Sequence, residues 1–215
     1  MKITIKQLFE ALLEVYSAQD WWPAESPYEV MIGAILGQNT NWLNAEKALN
    51  NLGKNINPKF IDQITLEELR ELIRPSGFYN QKANRIKRLN NWFIEYGYNI
   101  ENVKKEDQEV VRNQLLDIKG IGHETADSIL LYALNMPIFV IDSYTRRIFS
   151  RVGFSVPKKY DDFRIMIESG LKNSSNLLSV YNEFHGLLVT HAKEACLKSP
   201  QCEKCKISYL CSKKI

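Results

Sequence analysis

The chain has 215 residues, 45% hydrophobic and 25% charged, enough to bury a core as one domain or two small lobes. Its net charge of +3 permits an anionic partner without demanding one. No apolar run approaches the ~20 residues that span a bilayer, which argues against a membrane role. The opening Met1-Lys2-Ile3-Thr4-Ile5-Lys6 has no signal-peptide pattern, so the expectation is a cytoplasmic protein with reduced thiols.

Helical periodicity dominates from the start. Leu8, Ala11, Leu12 and Val15 line one face, and Val30, Ile32, Ala34, Ile35 and Leu36 follow the breakers Pro23 and Pro27. Thr65 stands as an N-cap before Leu66-Glu67-Glu68-Leu69. Lys82, Arg85 and Arg88 recur at helical spacing, which reads as a solvated face or, with Tyr79 and Asn80, as phosphate contacts. Ile129, Leu130, Leu131, Ala133 and Leu134 make a later apolar helix, and Asp161 or Asp162 caps Phe163-Arg164-Ile165-Met166. Breakers at Pro58, Pro75-Ser76-Gly77, Gly97, Gly120, Gly122, Pro137 and Pro157 divide the chain into roughly nine or ten helices. Alternating β-branched runs are scarce, so the fold class is all-α. Without a flexible linker, any second lobe must dock closely.

Three motifs carry chemistry. The first is Leu115-Leu116-Asp117-Ile118-Lys119-Gly120-Ile121-Gly122-His123-Glu124-Thr125-Ala126, which reads as helix, tight hairpin, helix. Glycines at 120 and 122 suggest positive φ at both positions and bare amides at the start of the next helix. That arrangement suits a nucleic-acid phosphate, contacted by Lys119, Gly120, Ile121, Gly122 and His123 without reading the base sequence. Taken alone, G-x-G is a weak signal and reads first as a plain helix-connecting turn.

The second motif places Asp142 after the apolar run Pro137-Ile138-Phe139-Val140-Ile141 and before Ser143-Tyr144-Thr145-Arg146-Arg147. By itself such an acid is an N-cap, with Arg146 and Arg147 as phosphate candidates. The third is C-x5-C-x2-C-x5-C, formed by Cys196, Cys202, Cys205 and Cys211, the only cysteines in the chain. Four thiolates so close in sequence suit one soft metal centre, zinc or a [4Fe-4S] cluster; disulfides would require an oxidising compartment. Lys193, Lys198, Lys204, Lys206, Lys213 and Lys214 surround the cysteines, and His185 and His191 read as helix packing or support groups.

The hairpin string resembles the helix-hairpin-helix of DNA repair glycosylases. The Asp142 segment is similar to the invariant-Asp region of the endonuclease III family, also called the helix-hairpin-helix-Gly/Pro-Asp superfamily. Gly77-Phe78-Tyr79-Asn80-Gln81-Lys82-Ala83, Leu36-Gly37-Gln38-Asn39-Thr40 and the cysteine cluster match in the same order, although the first cysteine interval is one residue short of the usual pattern. The resemblance implies two helical lobes flanking a DNA-binding cleft. Residues 26–136 would form a central barrel containing the hairpin, and 1–25 plus 137–215 the second lobe with the cluster. It also implies a monomer, a [4Fe-4S] cluster rather than zinc, double-stranded DNA containing a damaged base as partner, and excision of the flipped nucleotide's base.

Within that family, bifunctional members place a lysine after the Gly-x position, where its amine attacks the sugar. This chain has Glu124 there, which implies hydrolysis without strand cleavage, Asp142 stabilising the sugar cation. The adenine-mismatch branch needs an acid where Ala34 stands. Asp20-Trp21-Trp22-Pro23 and Gln38-Asn39-Thr40-Asn41-Trp42 resemble the 3-methyladenine DNA glycosylase III family. The match implies Trp21, Trp22 and Trp42 as contacts for an alkylated, cationic purine, Pro23 as pocket wall and Gln38 as filler of the vacated position in the duplex. The alternatives are a glycosylase for oxidised, deaminated or mismatched bases, or a silent damage-binding protein.

Overall fold

The computed structural model describes residues 3–19, 22, 24–53 and 56–212. Trp21 and Pro23, two of the expected base contacts, lie outside the described residues, as do Lys213 and Lys214. The described chain is all helical, with twelve α-helices and no strand. The count exceeds the nine or ten read from the breakers because several segments between them are only one or two turns long.

Two compact units divide the chain, Met1–Pro23 with Pro137–Ile215 and Ala24–Met136. In the first, α1 (Ile5–Tyr16), α10 (Ser143–Val152), α11 (Tyr160–Leu171) and α12 (Leu177–Glu194) pack together, α12 against both α1 and α10. Thr4 and Gln7 form a reciprocal capping box at the start of α1. The core is aromatic: Phe184 lies 5.3 Å from Phe9 and 5.5 Å from Phe139, and Phe149 lies 5.3 Å edge-on to Phe163. The α11 cap expected at Asp161 or Asp162 falls instead at Lys159, leaving both acids in the first helical turn, where they suit the positive end of the helix dipole.

In the second unit, α2 (Pro27–Leu36) is buried nearly all round, from Tyr28 through Leu36, rather than along one stripe. A helix without a polar face belongs inside a unit, and it is surrounded by α3 (Trp42–Leu52), α6 (Tyr79–Glu95), α9 (His123–Ser128) and the π-helical continuation Ile129–Ala133. The short helices α4 (Pro58–Gln63) and α5 (Leu66–Leu72) pack on α6, and Thr65 caps α5 in a capping box with Glu68, as its sequence suggests. Beyond α7 (Ile100–Val103), α8 (Gln108–Asp117) leads into the hairpin.

Candidate functional site

The hairpin joins α8 to α9 by two successive tight turns, in which the Ile118 amide donates to Leu115 and the Ile121 amide to Ile118, at 3.2 and 2.9 Å. Gly120 adopts φ +99°, and a Cβ there would collide with the Arg85 side chain, so glycine is required twice over. Gly122 departs from the expectation: its φ of −102° is open to any residue. What distinguishes Gly122 is open space where a side chain would be, together with the lack of a side-chain cap on α9. The Ile121 side chain is buried, and its amide donates inside the turn. Lys119 and His123 are exposed on the hairpin.

A buried ion pair fixes the two helices. Arg112 of α8 reaches Asp127 of α9 through Nε at 2.7 Å and Nη2 at 3.3 Å, with side chains 5% and 0% exposed. The same Nη2 lies 3.1 Å from His123 Nδ1.

Gln38 is held against the hairpin. Its Nε2 donates to the Gly120 carbonyl at 3.2 Å and to Thr125 Oγ1 at 2.8 Å, while its Oε1 accepts from Arg85. Arg88 donates to the Lys119 carbonyl at 3.2 Å. The basic residues of α6 therefore do not share one solvated face: Arg88 is exposed, Arg85 is half-buried and Lys82 is buried. Lys82 departs furthest: it is fully buried, its Nζ donates to the Leu36 and Ser76 carbonyls at 2.8 and 2.7 Å, and burial, then Arg85, pushes its pKa down to about 8.

In the other unit, the segment before Asp142 is pinned to α11, with the Phe139 amide donating to Glu168 Oε1 at 2.9 Å and the Ile141 amide to the Tyr160 hydroxyl at 3.1 Å. This delivers Asp142 to the N-cap of α10, where Oδ1 accepts from the Thr145 amide at 2.7 Å and its hydroxyl at 2.8 Å. Oδ2 lies 3.7 Å from His185 Nε2 of α12, within ion-pair range but beyond a hydrogen bond, and the Asp142 side chain is 12% exposed. Burial works to raise this carboxyl, yet His185 and the two Thr145 donors outweigh it and hold it below the usual aspartate value.

The arginines after Asp142 are committed to the protein. Arg146 donates to the Pro157 carbonyl at 2.8 Å and lies over Phe163. Arg147 donates to the Cys196 and Ala192 carbonyls at 2.9 and 3.1 Å. One turn on, Arg151 donates to Cys196 Sγ at 3.3 Å and to the Leu197 and Lys198 carbonyls.

Arg147 and Arg151 fasten the start of the cysteine loop. Cys196, Cys202, Cys205 and Cys211 all line one cavity, whose wall includes Ile148 and His191. No disulfide joins them, and burial, foremost, raises the Cys205 thiol. Among the described residues, no three His, Cys, Asp or Glu side chains are close enough to hold a metal ion. Trp22 and Trp42 are half-buried, Trp42 as the first residue of α3.

The sequence reading missed the Arg112–Asp127 pair and the role of Arg151. Asp127 carried a signal, because a charge within Thr125-Ala126-Asp127-Ser128-Ile129 needs a buried partner. Arg151 follows Arg147 by four residues, on the same face of α10.

The family profile of the HhH-GPD superfamily base excision DNA repair proteins matches residues 32–172, which span the hairpin and Asp142. Over 215 residues the chain is 45% identical to a protein of Methanocaldococcus jannaschii provisionally named a DNA repair glycosylase, covering 98% of this chain and 96% of that one. It is 32% identical over 190 residues to endonuclease III of Sulfolobus acidocaldarius, covering 86% and 81%. Among solved structures, the H. pylori 3-methyladenine DNA glycosylase bound to 1,N6-ethenoadenine superposes with a TM-score of 0.80 at 32% identity, covering 89% of this chain and 98% of that one. The chain belongs to the HhH-GPD superfamily of base excision DNA repair proteins, as a DNA glycosylase.

Proposed function

We propose that the protein is a monofunctional glycosylase that removes alkylated purines, with Asp142 as the carboxylate that meets the sugar. The observation that carries this reading is the division of labour within Asp142. Oδ1 is occupied by the two Thr145 donors, whereas Oδ2 faces the more distant His185 at 3.7 Å, and these contacts lower the carboxyl's pKa in favour of the charged form. A carboxylate so placed stabilises positive charge developing on C1′ as the glycosidic bond breaks and its electron pair leaves with the base. An N3- or N7-alkylated purine already carries a positive charge and departs neutral, without a general acid. Water then adds to C1′, and Oδ2 accepts its proton.

Glu124 stands where a bifunctional enzyme would carry its amine, so no imine forms and the product is an abasic site. The alkylated-purine reading draws support from the 32% identity to the H. pylori 3-methyladenine DNA glycosylase. Trp21, Trp22 and Trp42 are the proposed stacking contacts and Pro23 a wall residue. Gly122 and Lys119 are the proposed backbone contacts, with Gln38 leaving its hairpin bonds to enter the duplex. The four cysteines line one cavity and form an all-thiolate donor set that suits a [4Fe-4S] cluster or zinc, and the likeness to endonuclease III favours the cluster. When bound, the cluster would brace the loop between α12 and the C-terminus.

The test is incubation of methylated duplex DNA with the protein, followed by alkali. Breaks that appear only after alkali support the reading, and breaks without alkali, or a borohydride-trapped adduct, overturn the hydrolytic mechanism. A panel of oxidised, deaminated and mismatched duplexes decides the base: excision confined to these would overturn the alkylated-purine assignment.

A further inference from the structure

The wall of the cysteine cavity contains a histidine, His191, whose hydrogen-bonded pairing with a tyrosine behind it the excision chemistry does not use. His191 on α12 is 3% exposed. Its Nδ1 lies 2.9 Å from the Tyr16 hydroxyl of α1, with the two rings edge-on at 5.8 Å. Its Nε2 faces Cys205 Sγ at 4.0 Å. The ring thus spans from a tyrosine at the end of α1 to one of the four sulfurs.

A neutral imidazole carries one proton, so its two contacts are linked. If Nδ1 held the proton, a bare Nε2 lone pair would face Cys205, which repels a thiolate. If the Tyr16 hydroxyl donates to Nδ1, the proton sits on Nε2 and points at the sulfur. Cys205 as a metal-bound thiolate selects the second arrangement, and Tyr16 is positioned to hold it. We infer that Tyr16 and His191 form a donor relay onto Cys205, which stabilises the more negative state of the metal centre and so sets its reduction potential. Arg151 acts in the same sense on Cys196, at 3.3 Å. Hydrogen bonds to cluster sulfurs raise the potential because added electron density resides partly on those sulfurs, and ligand-orienting partners of this kind tune metal sites generally. This inference rests on the proposed iron–sulfur assignment; His191 is a positioning residue and not a ligand.

The experiment compares native protein, His191→Leu, His191→Gln and Tyr16→Phe, each assayed for iron and sulfide per chain and for midpoint potential by voltammetry on a DNA-free electrode. The expected result is full iron content in all four. The potential should be shifted negative in His191→Leu, shifted the same way by less in Tyr16→Phe, and restored toward native in His191→Gln, whose amide can donate from a similar place. Unchanged potentials in His191→Leu and Tyr16→Phe at full iron content would overturn the relay while leaving the cluster assignment intact. If His191→Leu fails to load iron, Tyr16→Phe decides by the same criterion. Native protein purified without iron and sulfide would sink the cluster assignment itself, and the relay with it.

Discussion

The hairpin and the Asp142 site solve opposite problems. At the hairpin, the side chains are mostly turned inward: Gln38, Arg85 and Arg88 bind hairpin atoms or one another, Ile121 is buried, and Arg112 is locked to Asp127. What the hairpin leaves open is backbone and space at Gly122, flanked by the exposed Lys119 and His123 side chains. At Asp142 the backbone is spent on pinning the segment to α11, and a side chain remains as the proposed reactive group. The contrast suits a protein that must hold any duplex but act at one atom: backbone contacts are indifferent to sequence, whereas chemistry needs a positioned charge.

The largest effect should come from Asp142→Asn. Asparagine caps a helix about as well as aspartate, so folding is preserved while the charge is removed. Excision of an alkylated purine should fall by roughly 10²–10⁴-fold, with DNA affinity nearly unchanged in a gel-shift titration. Full excision by this variant would remove Asp142 from the mechanism.

Next in size is Arg112→Met, which leaves Asp127 charged and fully buried. Breaking a buried pair costs about 3–5 kcal/mol, so thermal melting should show severe destabilisation. Gly120→Ala should cost roughly 1–3 kcal/mol for left-handed strain, with the added collision against Arg85. Gly122→Ala isolates binding from folding. Stability should stay within about 0.5 kcal/mol of native, while DNA affinity drops several-fold because the methyl fills the approach to the hairpin backbone. Equal stability losses in the two glycine variants would erase the distinction between them.

How much of this was visible in the sequence follows the same divide. Gly120 was legible because a tight turn is local, and the Thr65 cap because its partner Glu68 is three residues away. Asp142 was legible as a cap from the helix that follows it. Lys82 was not, because its partners are carbonyls at Leu36 and Ser76, and no side-chain pattern announces a buried ammonium held by backbone. Gly122 was misread since the need for glycine there is not conformational. The fates of Arg147 and Arg151 depend on the cysteine loop folding back onto α10, a tertiary event that helical spacing cannot report. His185 reaches Asp142 only through the packing of α12 on α10.

The smallest expected effect concerns pH, and it separates the two regions again. Asp142 has a folded-state pKa below its ordinary value. Its carboxylate therefore adds stability above the unfolded value of about 3.9, and that contribution disappears as pH falls through the folded value. Native protein and Asp142→Asn should differ by a constant amount in melting temperature from neutral pH down to the ordinary aspartate range. Below it the two should converge, because the native carboxyl then becomes neutral like the amide. Gly122→Ala should keep a constant offset from native over the same titration, since no ionisable group is altered. Convergence beginning well above the aspartate range would mean that burial outweighs the His185 and Thr145 contacts. Asp142 would then be protonated in the fold at higher pH, and the charge proposed to face the sugar would be absent under the conditions where excision is measured.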